Sequence, residues 1–193
     1  MGDVANITLT MLWFVAVTNA FQFLDGMDGL AAGLGVIAGV FFSMTALQTD
    51  QRHLMYLAAA LVGACLGFLP FNFRPGGASI FLGDAGASFI GFTLAGLAVM
   101  GEWAENDPIV ALLTPVLILG VPLFDIAFVS VARVATGRVH SPHEWLAYTG
   151  KDHVSALLLW HATMREAMLV LLQAACVLAI IAVLEAVGRG RAA

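Results

Sequence analysis

Apolar runs long enough to cross a lipid bilayer recur along this chain with hardly a charge inside them. A hydrocarbon core needs about 20 mainly apolar residues per helix. Six segments meet or approach that length: residues 7–24, 30–47, 54–71, 85–100, 109–135 and 167–187. Charged residues make up 11% of the 193, against roughly 25% in a soluble domain. Backbone in lipid must satisfy its own hydrogen bonds, which leaves helices or closed barrels. The expectation is an all-α polytopic membrane helix bundle of about six transmembrane helices, forming a single membrane domain over residues 1–193. Glycines spaced four apart, Gly29/Gly33, Gly35/Gly39 and Gly63/Gly67, predict close packing of the second, third and fourth helices. A net charge of −5 and the lack of a basic, aromatic-interleaved patch exclude nucleic acid as a partner. Cys65 and Cys176 each lie in an apolar run and read as small packed residues.

Against that background the stretch from Asn19 to Leu30 stands out: Asn-Ala-Phe-Gln-Phe-Leu-Asp-Gly-Met-Asp-Gly-Leu, between two apolar runs. Asp25 and Asp28 are three apart, so a helical backbone would place both carboxylates on one face. Placing an aspartate at the centre of a membrane helix costs about 2.5–3.5 kcal/mol on insertion scales. Such a pair is tolerated where a cation, a cationic group or water lies opposite. Gly26 and Gly29 leave room for a ligand. This reads as a metal or phosphate site.

A second cluster runs from Asn72 to Ser88. Asp84, between Gly83 and Gly86, opens a Gly/Ala-rich apolar segment and is expected at its N-cap, near free backbone N–H groups. Arg74 offers a guanidinium that can pair with phosphate. Asp25, Asp28 and Asp84 make a hard-oxygen set suited to Mg²⁺, which takes one or two carboxylates and completes its shell with water and substrate phosphates. Neither a zinc-type Cys/His spacing nor a Walker-type Gly-Lys-Ser/Thr is present. In the fifth segment Pro115 and Pro122 predict a kink. Asp125, three residues on, reads either as a functional intramembrane acid or as a partner of Arg133.

If each segment crosses once, Asp25–Asp28, the loop 72–84 and the loop 136–165 share one side. Arg74, Arg133, Arg138, Lys151 and Arg165 fall there, against Arg52, Arg189 and Arg191 on the other. The excess of basic residues makes the first side cytoplasmic.

These residues resemble the polyprenyl-phosphate N-acetylhexosaminyl-1-phosphate transferases, glycosyltransferase family 4. The first stretch is similar to that family's Asn-x-x-Asn-x-x-Asp-Gly-x-Asp-Gly-Leu, and residues 72–92 to its Asn-Phe-x-Pro…Phe-x-Gly-Asp-x-Gly-Ser…Gly-Phe. Pro122-Leu-Phe-Asp125 resembles its Pro-x-x-Asp, and Lys151-Asp-His153 the entrance to its histidine motif. The resemblance implies transfer of a sugar 1-phosphate from a UDP-N-acetylhexosamine to polyprenyl (undecaprenyl) phosphate, with release of UMP, in cell-envelope glycan synthesis. It implies a Mg²⁺ cofactor (Mn²⁺ being the alternative) and a bacterial inner membrane location with the active-site loops cytoplasmic. Asp84, Asp25 and Asp28 would be metal-binding and catalytic, with His153 catalytic. Asn19, Asn72, Arg74 and Lys151 would meet substrate.

The sequence departs from the pattern in several places. Gln22 replaces the second Asn, Ala87 replaces the Ser, and Ser155-Ala156-Leu157 stands where the histidine motif usually reaches a second His. The family's Asp-Asp pair, which lies N-terminal to these motifs, has no counterpart. The expectation is therefore a piece of an enzyme, inactive alone, whose partner is a missing N-terminal half or a second copy. A cation transporter module and a non-catalytic membrane scaffold are the competing readings.

Overall fold

The computed structural model describes residues 2–104 and 108–135. They form six α-helices: α1 (Gly2–Leu24), α2 (Leu30–Gln48), α3 (Arg52–Asn72), α4 (Gly83–Met100), α5 (Pro108–Ile118) and α6 (Gly120–Ala135). Strands are absent among the described residues. The first four helices, 23, 19, 21 and 18 residues long, are each long and apolar enough to cross a membrane. At 1.5 Å per residue, even the shortest reaches about 27 Å. The protein is a multi-pass helical membrane protein. The sixth apolar segment, and the loop carrying Lys151 and His153, lie outside the described residues.

Apolar residues lie on every face of these helices, so packing follows from side-chain size. α2 meets α3 where Gly39 lies against Val62 and Ala58 and Gly35 faces Cys65, and Gly35 also receives Ile90 of α4. The expected packing of the second, third and fourth helices is thus present around α2. The glycine pattern also misleads, because Gly63 and Gly67 face open space with no atom within 4 Å of an added Cβ. A main contact that the spacing did not signal joins α1 to α4. There a Cβ on Gly91 would come within 2.9 Å of the Thr18 Cα and 3.1 Å of the Val17 carbonyl oxygen. Trp13 Nε1 donates to the Ala95 carbonyl at 3.3 Å, and the Phe14 and Phe92 rings lie 4.8 Å apart.

Hydrogen bonds sort the connections to two ends. At one end Gln51 grips residue 102 on both sides: its Nε2 donates to the Glu102 carbonyl at 2.8 Å and its Oε1 accepts from the Glu102 N–H at 2.9 Å. At the opposite end the 25–29 turn meets the α3–α4 loop. The first four helices therefore run alternately, as expected.

The fifth segment departs from the single kinked span expected. It divides at Leu119, and the helices on either side are bent by 78°. Pro122 has no N–H to offer the carbonyl of Ile118 four residues back, and its ring crowds that carbonyl, so the break falls at that point. Leu119, at the elbow, is fully buried. Asp125 lies in α6, 1% exposed, and takes part in an interaction there.

Gly91→Ala is expected to lower stability by about 1–3 kcal/mol, since the added methyl meets backbone that cannot step aside. Gly63→Ala is expected to be neutral or slightly stabilising, because Ala favours helix and no neighbour stands in the way. Thermal unfolding of the two variants in detergent compares them directly.

Candidate active site

Asp25, Asp28 and Asp84 come together at one end of the bundle, as the sequence led one to expect, but not by the expected local route. The segment between α1 and α2 is a turn rather than a continued helix, so the two aspartates do not share a helical face. Gly29 ends that turn at φ +79°. A side chain there would be strained, and its Cβ would collide with the Phe73 ring. Glycine is thus required by backbone conformation and by space alike.

The turn is tied to the α3–α4 loop at several points. Gly29 N–H donates to Asn72 Oδ1 at 2.6 Å, and Asn72 Nδ2 donates to the Ile80 carbonyl at 3.0 Å. Ala78 N–H donates to Asp28 Oδ2 at 3.1 Å. Ser79 folds back onto the end of α3, its N–H at 2.8 Å and its hydroxyl at 2.9 Å from the Phe71 carbonyl. Gly76 and Gly77, at φ +96° and +100°, let the loop reverse. Arg74, at its start, is exposed.

Asp84 stands in the first turn of α4; the N-cap position is taken by Leu82, so the expected capping role is not the one observed. There its charge lies at the positive end of the helix dipole. Asp25 is half-buried beside it and accepts a hydrogen bond from the backbone N–H of Gly83. Burial pushes the Asp25 carboxyl up from an ordinary 3.8 to about 6; the Gly83 bond works against the shift, and the Asp84 and Asp28 charges add to it. Asp84 and Asp28 each lie close enough to Asp25 for their charges to act on it.

They do not amount to a finished metal cage. Among the described residues, no three of His, Cys, Asp and Glu are arranged to hold a metal ion. What the donor set fits is an ion bound by one or two carboxylates, with the rest of its shell from water and phosphate oxygens. Asn72, expected to meet substrate, is 5% exposed and has both ends of its amide engaged within the protein. Asn19, half-buried on α1, donates from Nδ2 to the Val15 carbonyl at 2.7 Å. The cross-loop bonds of Asn72 and Asp28 were missed by sequence reasoning, for no local pattern announces a partner 43 or 50 residues away.

Residues 1–102 match the family model described as glycosyl transferase family 4. The chain belongs to glycosyl transferase family 4. Relatives within the family include a probable undecaprenyl-phosphate N-acetylglucosaminyl 1-phosphate transferase of Bacillus subtilis, 35% identical over 79% of this chain and 44% of that protein. A decaprenyl-phosphate N-acetylglucosaminephosphotransferase of Mycobacterium tuberculosis is 35% identical over 82% of this chain and 45% of that protein. A phospho-N-acetylmuramoyl-pentapeptide-transferase of Moorella thermoacetica is 44% identical over 48% of this chain and 28% of its own. The chain spans a little under half the length of the first two relatives. The matched family region contains all three aspartates and both loops that hold them.

The Asp25 carboxyl is expected to titrate near pH 6, and Asp84→Asn to bring its midpoint down by removing one neighbouring charge. Its folded-state pKa is raised, so its contribution to stability is fully present below about pH 4 and is lost as pH rises through about 6. Carboxyl-stretch infrared titration of wild type against Asp25→Asn and Asp84→Asn checks both statements.

Proposed function

We propose that this chain carries the acidic, nucleotide-sugar side of a membrane transferase. That enzyme moves an N-acetylhexosamine 1-phosphate from a UDP-sugar to a polyprenyl phosphate. The observation that carries this is the convergence of Asp25, Asp28 and Asp84 at one end of the membrane helices, with Asp25 held above its ordinary pKa by burial and by its two neighbours. The names of the relatives in Bacillus subtilis and Mycobacterium tuberculosis support the same substrates.

In this reaction a phosphate oxygen of the lipid attacks the β-phosphorus of the UDP-sugar. A new P–O bond forms there, the bond to the bridging oxygen breaks, and UMP leaves with that electron pair. Magnesium, held by Asp84 and Asp25 together with the diphosphate oxygens, would supply charge neutralisation. Asp28 contributes by holding Ala78 and with it the loop. Arg74, exposed at the head of that loop, would pair with an incoming phosphate. Lys151 and His153, assigned to substrate and catalysis by resemblance, complete the proposal from outside the described residues.

We place the acidic end at the cytoplasmic face of a bacterial inner membrane, where sugar nucleotides are made. Arg74 at that end supports this, and Arg52 at the other weighs against it. The basic residues from Arg133 onward count only if α5 and α6 together cross, and a 78° bend fits a broken span and a re-entrant loop alike. The same bend, with buried Asp125 beyond it, favours a cation carrier as the second reading, since transporters bind ions at broken helices. The acidic trio, however, lies at one end rather than at mid-membrane.

The test is binding of UDP-N-acetylglucosamine to the chain in nanodiscs, with and without Mg²⁺, followed by UMP release when undecaprenyl phosphate is added. Mg²⁺-dependent binding is expected, weakened at least about tenfold by Asp84→Asn or Asp25→Asn and unchanged by Glu102→Gln at the opposite end. Binding indifferent to Mg²⁺ and to both substitutions overturns the reading. Cation flux through liposomes without nucleotide would favour the carrier.

A further inference from the structure

We infer that Asn72 is a positioning residue for the transferase site: one carboxamide sets the spacing between the two acidic loops, and it does so without touching substrate. The inference rests on the proposed function for its consequence in ligand binding, but its geometry stands independently.

The carboxamide is the last residue of α3 and is buried. Its oxygen takes the backbone N–H of Gly29, at the end of the Asp25–Asp28 turn, and its nitrogen gives a hydrogen bond to the carbonyl of Ile80, three residues before Gly83. One rigid planar group therefore spans the two segments that carry the aspartates. Its donor and acceptor ends are not interchangeable, because Gly29 offers only a donor to it and Ile80 only an acceptor. On one side Asn72 is followed by Phe73, whose ring closes over Gly29 at a distance that admits no Cβ. On the other side Ser79 is bound to the Phe71 carbonyl, one residue before Asn72. The chain around Asn72 is thus fixed to α3 as a reference, and both loops take their position from it. The Ala78–Asp28 bond and the Gly83–Asp25 bond are then the contacts that this spacing permits.

Substitution should separate the two ends of the amide. In Asn72→Ala both loops lose their anchor. In Asn72→Asp an acceptor for Gly29 remains, while the donor to Ile80 is gone. A residue that simply contacted nucleotide would show no such division in the absence of ligand.

The experiment is hydrogen–deuterium exchange of the full chain in detergent, without metal or substrate, followed by binding of UDP-N-acetylglucosamine at a series of Mg²⁺ concentrations. For Asn72→Ala, faster exchange is expected in both 25–30 and 76–83, with residues 34–46 of α2 unchanged. For Asn72→Asp, faster exchange is expected in 76–83 alone. In UDP-N-acetylglucosamine binding, Asn72→Ala should raise the Mg²⁺ concentration needed for half-maximal binding at least tenfold, with little change in nucleotide-sugar affinity at saturating Mg²⁺. Wild-type exchange in both segments of Asn72→Ala, or equal loosening of both segments in Asn72→Asp, overturns the proposal. So does weaker nucleotide-sugar binding at saturating Mg²⁺ as the sole effect. If Asn72→Ala also loosens α2, the Asn72→Asp pattern decides. Failure of wild type to bind any nucleotide sugar would remove the transferase reading while leaving the exchange result standing.

Discussion

Helices in hydrocarbon gain little by covering one leucine with another, because no water is released. What holds them is how closely they approach. In this bundle approach is set at a few small residues: Gly91 brings α4 onto the backbone of α1, and Gly35 and Gly39 bring α2 onto α3 and α4. The active-site end inherits its geometry from these contacts. With α1 and α4 in register, the turn after Leu24 falls beside the start of α4. With α2 on α3, Gly29 falls against Phe73 and Asn72. Asp84 and Asp28 are then held near Asp25, whose carboxyl their charges help to push up.

The spans were legible because composition alone reveals them. Segments 7–24, 30–47, 54–71 and 85–100 each fall within a helix, and each helix extends a few residues beyond the segment at one or both ends. The acidic cluster was legible too, since two Asp-Gly steps and a Gly-Asp have little place in apolar sequence without a ligand or a turn. Facing was not. Gly63 and Gly67 repeat the spacing of Gly35 and Gly39 yet look outward. Where every side of a helix is apolar, no polar face marks which one is inner. The elbow was half legible. Pro122 announces a lost hydrogen bond at Ile118, but the size of the bend depends on what packs around Leu119, and that is tertiary.

The polar links were hidden for a different reason. Asn72 is a polar residue next to a proline- and glycine-rich loop, which by itself suggests exposure and a ligand. The structure buries it because two backbone groups, one N–H and one carbonyl, need partners where the loops cross. Leaving a buried group such as the Gly29 N–H unsatisfied costs about 1–3 kcal/mol, so the amide contributes stability as well as spacing. Gln51 does the same at the opposite end, where it holds residue 102 by both sides of its backbone. The two side amides act as matched clamps, one at each end of the bundle.

Asp25 and Asp28 differ more than their spacing suggests, and the difference assigns their work. Asp28 is exposed and spends one oxygen on Ala78, a neutral backbone donor. Asp25 is half-buried, carries the charges of Asp84 and Asp28 beside it, and has the Gly83 N–H as its compensation. An anion so placed gains most from any cation that arrives. A proton and a divalent ion would both relieve the same repulsion at the same oxygens, so each weakens the other's hold. An incoming positive charge would therefore act directly on the raised Asp25 carboxyl, which lies beside the N-terminus of α4, where phosphate oxygens would also find free N–H groups. Repulsion that the fold maintains around Asp25 is thus what an arriving cation would relieve.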